Sequence, residues 1–287
     1  MDCPTVRTLC GQLLLRNPWL SCYTPGMKLP LYWIDAFTDQ AFHGNPAAVV
    51  PLESWLPDEV MQRIAFEHGL SETAFFVRTD PDRFHLRWFT PAVEVDLCGH
   101  ATLAVACTLF TQLGFVGETV TFDSRSGPLV VTHRDGLFEL DFPSRPAETT
   151  PAPEALMRAL GRTPEFVLKT KGSWLLVYPR AADVLGLRPD HALLGQVTPG
   201  RMIVTAPGED CDFVSRFFAP DAGIAEDPVT GGAHTTLIPY WAGRLGKTKL
   251  HARQVSARGG ELFCELRGDR VGIAGRAVLY LRGEISA

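Results

Sequence analysis

The alternation of apolar and polar positions along the chain predicts short strands interrupted by a few helices. Leu31–Phe37 and Ala47–Val50 have strand-like composition and are separated by the turn residues His43-Gly44-Asn45-Pro46. Pro57, Asp58 and Glu59 open a helix, with proline at the first position and acids in the first turn, and Gly69 stops it after His68. Thr73–Val77 and Phe84–Phe89 read as strands, the second alternating. Ala101, Ala104, Val105, Thr108 and Leu109 fall at helical spacing, which predicts a helix from Gly99 to about Leu113 with Gly114 ending it. Val120–Asp123, Leu129–Thr132 and Leu137–Phe142 follow as strands, the last two joined by a turn at Arg134-Asp135-Gly136.

Near the midpoint, Pro143–Pro153 carries four prolines in eleven residues. Such a segment cannot join the interior of a sheet and reads as a linker. The two sides of it echo one another. Arg87-Trp88-Phe89-Thr90-Pro91 leads to Gly99 and a helix; Arg216-Phe217-Phe218-Ala219-Pro220 leads in the same way to Gly231 and a helix. The gap from Arg to Gly is 12 residues in the first copy and 15 in the second, so one copy has an insertion. Recurrence of strand, proline, glycine and helix in order predicts two copies of one supersecondary unit. The expected division is 27–145 and 146–287, with the last strand free to return to the first domain. Residues 1–26, ahead of Met27, read as an extension or an upstream start.

Length and composition fit this picture. A chain of 287 residues has room for one large domain or two of ordinary size, and 46% hydrophobic with 21% charged residues is a soluble globular balance. A net charge of −5 argues against a nucleic-acid partner. No apolar run approaches the roughly 20 residues that span a bilayer. The seven cysteines (Cys3, Cys10, Cys22, Cys98, Cys107, Cys211 and Cys264) are odd in number and form no Cys-x-x-Cys pair. They read as reduced thiols of a cytoplasmic protein, without zinc.

Each copy presents a glycine-bearing turn that feeds a helix: Leu97-Cys98-Gly99-His100-Ala101-Thr102, and Glu226-Asp227-Pro228-Val229-Thr230-Gly231-Gly232-Ala233. Unpaired N–H groups at a helix start, with the positive end of the dipole, bind an anion, so two such ends meeting across a pseudo-two-fold axis would hold a small carboxylate. Taken singly, each turn reads equally as a plain helix N-cap, with Thr230 or Asp227 capping. A third element, Leu70-Ser71-Glu72-Thr73-Ala74-Phe75-Phe76, sets Glu72 between a helix end and an apolar strand. A desolvated carboxyl there would suit general acid–base work; a surface glutamate capping a loop fits the residues as well. No Gly-x-Ser-x-Gly elbow, Walker-type loop or Gly-x-Gly-x-x-Gly after a strand is present.

At these motifs the sequence resembles the phenazine-biosynthesis PhzF family, whose fold is that of diaminopimelate epimerase. The resemblance runs from Met27 onward through Asp35–Thr38, Gly44–Val49, Ser71–Phe75, Arg87–Pro91, Cys98–Thr102 and Glu226–Gly231. It implies an α+β protein of two pseudo-symmetric domains, each a mixed β-sheet rolled around a central α-helix, usually assembled as a homodimer. It also implies a cofactor-independent isomerase that moves a proton on a small carboxylate-bearing metabolite. Glu72 then corresponds to the proton-shuttling glutamate, and His100 and Asp227 to residues that hold the substrate. The expected substrate-binding set is Asn45, Gly99, His100, Asp227, Thr230, Gly231 and Gly232, with no metal and no organic cofactor. Two departures bear on the substrate. Gly232 stands where the phenazine enzyme has a serine, and Thr230 stands where an epimerase of this fold has its second cysteine. The alternatives are an amino-acid epimerase or racemase using Cys98, and a catalytically idle relative that binds a ligand or a protein.

Overall fold

The computed structural model describes residues 26–287, so all of the expected 1–26 extension except Gly26 lies outside the described residues. The first half runs β1 (Lys28–Ala36), β2 (Asn45–Leu52), α1 (Asp58–His68), β3 (Glu72–Asp80), β4 (Arg83–Phe89), β5 (Glu94–Val95), α2 (Gly99–Gln112), β6 (Thr119–Ser124), β7 (Gly127–Arg134) and β8 (Leu137–Pro143). The second runs β9 (Glu148–Thr149), α3 (Glu154–Leu160), β10 (Phe166–Lys169), β11 (Trp174–Val177), α4 (Ala181–Leu185), α5 (His191–Leu194), β12 (Met202–Pro207) and β13 (Phe213–Ala219). It continues through β14 (Ile224–Asp227), α6 (Gly231–Leu245), β15 (Lys249–Gln254), β16 (Gly260–Arg267), β17 (Arg270–Gly275) and β18 (Ala277–Ser286).

Strand pairing repeats between the halves. In the first, β1–β2 is antiparallel, β2–β3 parallel, β3–β4 antiparallel, β4–β6 parallel, and β6–β7–β8 antiparallel. In the second, β10–β11, β11–β12, β12–β13, β13–β15 and β15–β16–β17 repeat that order of senses. The halves join where β8 pairs antiparallel with β17, Val271 opposite Phe142. The last strand, β18, returns to pair with β1. The proline-rich segment after β8 holds one short strand, β9, which pairs antiparallel with β10.

The echoed arginines explain part of the repeat. Arg87 makes paired 2.7 and 2.8 Å hydrogen bonds to Glu94 on β5, and Arg216 makes the same pair to Glu226 on β14. Such a two-pronged guanidinium–carboxylate contact fixes orientation as well as distance. Each therefore pins the short strand that delivers the chain to a helix start: Glu94 precedes Gly99 by five residues, and Glu226 precedes Gly231 by five. The insertion accordingly lies earlier, at the 3₁₀ turn Pro220–Ala222.

Helices α2 and α6 are the centres of the two halves. Ten consecutive residues of α2, His100 to Leu109, are buried, and α6 buries Ala233 to Ile238 with Trp241 and Ala242. A helix apolar on every side needs walls on every side. The sheet supplies them for α2 from β1, β2, β3 and β8, and for α6 from β15, β16 and β17. The outer faces are covered by α1 in the first half, through Met61, Ile64 and Ala65, and by α3, α4 and α5 in the second. Helix α1 ends as its sequence requires, with Gly69 left-handed at φ 63° and donating its N–H to Ala65. No helix among the described residues is long and apolar enough to cross a membrane.

Candidate active site

The two central helices start face to face. A Cβ added to Gly99 would stand 3.8 Å from the Cα of Gly231, so the two glycine turns meet where the halves join. Neither start is capped by a side chain. Thr230, expected as a possible cap, instead turns its hydroxyl to the Asp227 carboxylate, and Gln254 takes its N–H at 2.9 Å. Both donors of Thr230 are thus engaged internally, and the uncapped first-turn N–H groups remain the anion-binding feature of the junction.

Glu72 reaches this junction as the first residue of β3, beside Ala47 of β2. Its Oε2 lies 3.3 Å from His100 Nε2, and its side chain is only 14% exposed. Desolvation, reinforced by the neighbouring Asp227 charge and opposed by a hydrogen bond from the Cys98 thiol, lifts the Glu72 carboxyl to about 7. Asp227, at the end of β14, rises to about 6, chiefly through burial, although Thr230 and Asn45 hydrogen-bond it. Neither carboxyl has a lysine or arginine among the causes of its shift. The His100–Glu72 contact is not an ion pair, because burial drives the imidazole down to about 3 and keeps the ring neutral. Burial and the Glu72 charge push the Cys98 thiol well above its ordinary value, so it stays protonated.

Asn45 ties the halves together at this point. It starts β2 after Gly44, which is left-handed at φ 65° and whose added Cβ would fall 2.1 Å from the Ala36 carbonyl oxygen. The Asn45 amide donates to Asp227 Oδ1 and to the Val229 carbonyl, each at 2.8 Å, and lies 3.2 Å from His100 Nδ1. The residue is completely buried. Gly232 is exposed, and a Cβ there would meet nothing within 4 Å, so the residue leaves open space where a larger side chain would fit.

The fold therefore brings Glu72, Cys98, Gly99, His100, Asp227, Thr230 and Gly231 to one junction, with Asn45 beneath and Gly232 at its open side. Sequence reasoning missed Gln254 and Phe37. Gln254 Nε2 donates to the Asp227 carbonyl at 2.8 Å, and its Oε1 holds Thr230. A polar residue in the inward register of β15, after Leu250 and Ala252, was the available signal. Phe37 leaves β1 with a positive φ of 62° and buries its ring against Gly231 and Gly275; nothing in its local sequence marks that insertion.

Donor atoms of Glu72, Cys98 and His100 lie within 4.8 Å of one another, the one metal-like grouping among the described residues. One carboxyl, one buried thiol and one imidazole do not make a closed four-ligand structural site. A separate concavity of about 410 Å³, lined in part by Leu137, Asp212, Lys247, His251 and Phe263, shares no residue with the junction.

A repeated mixed sheet around two head-on helices defines a protein of the diaminopimelate epimerase-like fold. The model of the phenazine biosynthesis-like protein family matches residues 34–283, and the chain belongs to that family. A Pseudomonas aeruginosa protein described as an uncharacterized isomerase is 51% identical over 259 residues, covering 90% of this chain and 99% of its own. The human phenazine biosynthesis-like domain-containing protein is 42% identical over 290 residues, 91% of this chain and 100% of its own. A crystal structure of a PhzF family protein from Enterococcus faecalis superposes with a TM-score of 0.88 at 46% identity, covering 91% of this chain and 100% of that one.

Proposed function

We propose that the protein is a cofactor-independent isomerase that moves a proton on a small carboxylate-bearing substrate, with Glu72 as acid and base in turn. The observation that carries this reading is a desolvated carboxyl at about 7, set where two uncapped helix starts converge. A group whose pKa lies near working pH exists in both forms, so it can take a proton and return it elsewhere, an effect worth about 10²–10⁴ in rate. The substrate's own conjugation would delocalise the anion left behind. The helix-start N–H groups of Gly99 and Gly231 would face the substrate carboxylate and the developing charge. Asp227, at about 6, would hold the substrate's polar groups from the second half.

The isomerase description of the P. aeruginosa relative supports the reaction class. The position of Gly232 favours a substrate other than the phenazine precursor, since no side-chain hydroxyl is offered there. Thr230, whose hydroxyl is committed to Asp227, stands where a two-thiol racemase needs its second base. A homodimer in the cytoplasm belongs to the same proposal. The test is a screen of small carboxylic acids in D₂O with the pure protein, followed by mass spectrometry. Isomerisation accompanied by deuterium at carbon is expected for at least one conjugated acid. Turnover that requires an added metal or organic cofactor would contradict the reading.

A further inference from the structure

The Asn45 carboxamide has two hydrogens and three acceptor-like neighbours. Asp227 Oδ1 and the Val229 carbonyl stand at 2.8 Å, whereas His100 Nδ1 stands farther off at 3.2 Å. The two oxygens also fix which end of the amide faces them. A flipped Asn45 would set its carbonyl oxygen against two others, with nothing to donate. Both hydrogens are therefore spent on oxygen, and none is left for His100.

The neutral imidazole carries a single proton. On Nδ1 that proton has an acceptor, since Cys98 Sγ lies 3.5 Å away. On Nε2 it would leave Nδ1 with an amide that has no hydrogen to offer and with the Cys98 thiol as its remaining donor, whose proton is the one that hydrogen-bonds Glu72. We propose that Asn45 is a positioning residue that holds His100 as its Nδ1–H tautomer, which presents Nε2 to the Glu72 carboxyl as a bare acceptor. His100 Nε2 and Glu72 Oε2 are both buried without a hydrogen-bond partner, 3.3 Å apart. Two bare lone pairs repel at that separation; a proton on Glu72 Oε2 removes the repulsion. The bare Nε2 thus favours the acid form of the carboxyl, and the imidazole is unable to stabilise the carboxylate by donating to it.

The titratable groups facing Glu72 are Cys98 and His100 from the start of α2 and Asp227 from the end of β14, with Glu226 acting on Asp227. The functional meaning of the tautomer rests on Glu72 being the acid/base, but the tautomer itself does not. It is read without substrate, by long-range ¹H–¹⁵N correlations in the intact protein, with the His100 signals assigned by their loss in His100→Gln. The expected result is one neutral ring with Nδ1 protonated and Nε2 bare between pH 5 and 8. A ring protonated at Nε2 would overturn the proposal, even if the protein proves to be an isomerase.

The second arm uses Asn45→Ala, with Asn45→Ser as the fallback should the alanine variant not fold. Freed of the lock, the ring can move its proton to Nε2 and donate to the carboxylate, which favours the charged form. The Glu72 titration, followed by carboxyl ¹³C shift, is then expected about one unit lower, together with the limb of any activity profile that it controls. A purely structural role would reduce activity without moving that titration. An unchanged tautomer and an unmoved titration in a folded variant would remove Asn45 from the role.

Discussion

Replacing Glu72 with glutamine should stabilise the protein above neutral pH and leave it nearly unchanged in mild acid. The carboxyl titrates at about 7 in the folded protein against 4.5 for an ordinary solvated glutamate. Between those pH values the folded state keeps a proton that the unfolded chain has released, so stability falls as pH rises through this window and levels off above it. The full difference is about 3 kcal/mol at 1.36 kcal/mol for each pKa unit. Glutamine keeps the shape and has no charge to desolvate. Glu72→Gln is therefore expected within about 1 kcal/mol of the parent at pH 5 and ahead by up to about 3 kcal/mol at pH 8. For a chain of this size the pH 8 gain corresponds to roughly 5–10 °C in Tm. Denaturant titrations at both pH values measure it. A variant no more stable than the parent at pH 8, or equally destabilised at both pH values, would mean that the Glu72 carboxylate is not desolvated.

Crystals grown or soaked with sulfate or a small carboxylate should show the anion between Gly99–His100 and Gly231–Gly232, where both helix starts are uncapped. Density elsewhere with none at the junction would contradict that placement. Gly232→Ser should fold with a Tm within about 2 °C of the parent, because an added Cβ meets nothing within 4 Å. It should also change the order of preference among substrates found by the deuterium screen; an unaltered preference would place Gly232 outside the substrate's reach.

Much of this architecture was legible because it is written in local patterns. The α1 boundaries follow from Pro57 and Gly69, and α2 from the apolar spacing after Gly99. The echo of Arg87 and Arg216 exposed the duplication, because each arginine performs the same task of holding a short strand before a helix start. Glu72, His100 and Asp227 could be singled out by motif, but the environment that separates a working carboxyl from a surface one is not written in local residues. That environment comes from groups far apart in the chain: Asn45 and Asp227 are 182 residues apart, and Gln254 reaches back to Thr230. Phe37 shows the limit most plainly. Its sequence continues a strand, yet its backbone turns left-handed and its ring crosses to Gly231 and Gly275 of the other half. Only tertiary packing offsets the cost of such a conformation in a non-glycine residue.

One carboxyl, and not a pair of thiols, is proposed to move the proton. The most direct test is the rate of deuterium incorporation by Glu72→Gln and Cys98→Ser, compared on the same substrate with folding verified by thermal melts. Glu72→Gln should lose at least about a thousandfold, roughly 4 kcal/mol in the barrier, since an amide cannot accept the proton. Cys98→Ser should remain within about tenfold, roughly 1.4 kcal/mol, because the buried thiol keeps its proton and serves only as a neighbour of Glu72 and His100. A thousandfold loss in well-folded Cys98→Ser, with Glu72→Gln nearly as active as the parent, would contradict the account in favour of a cysteine-based racemase.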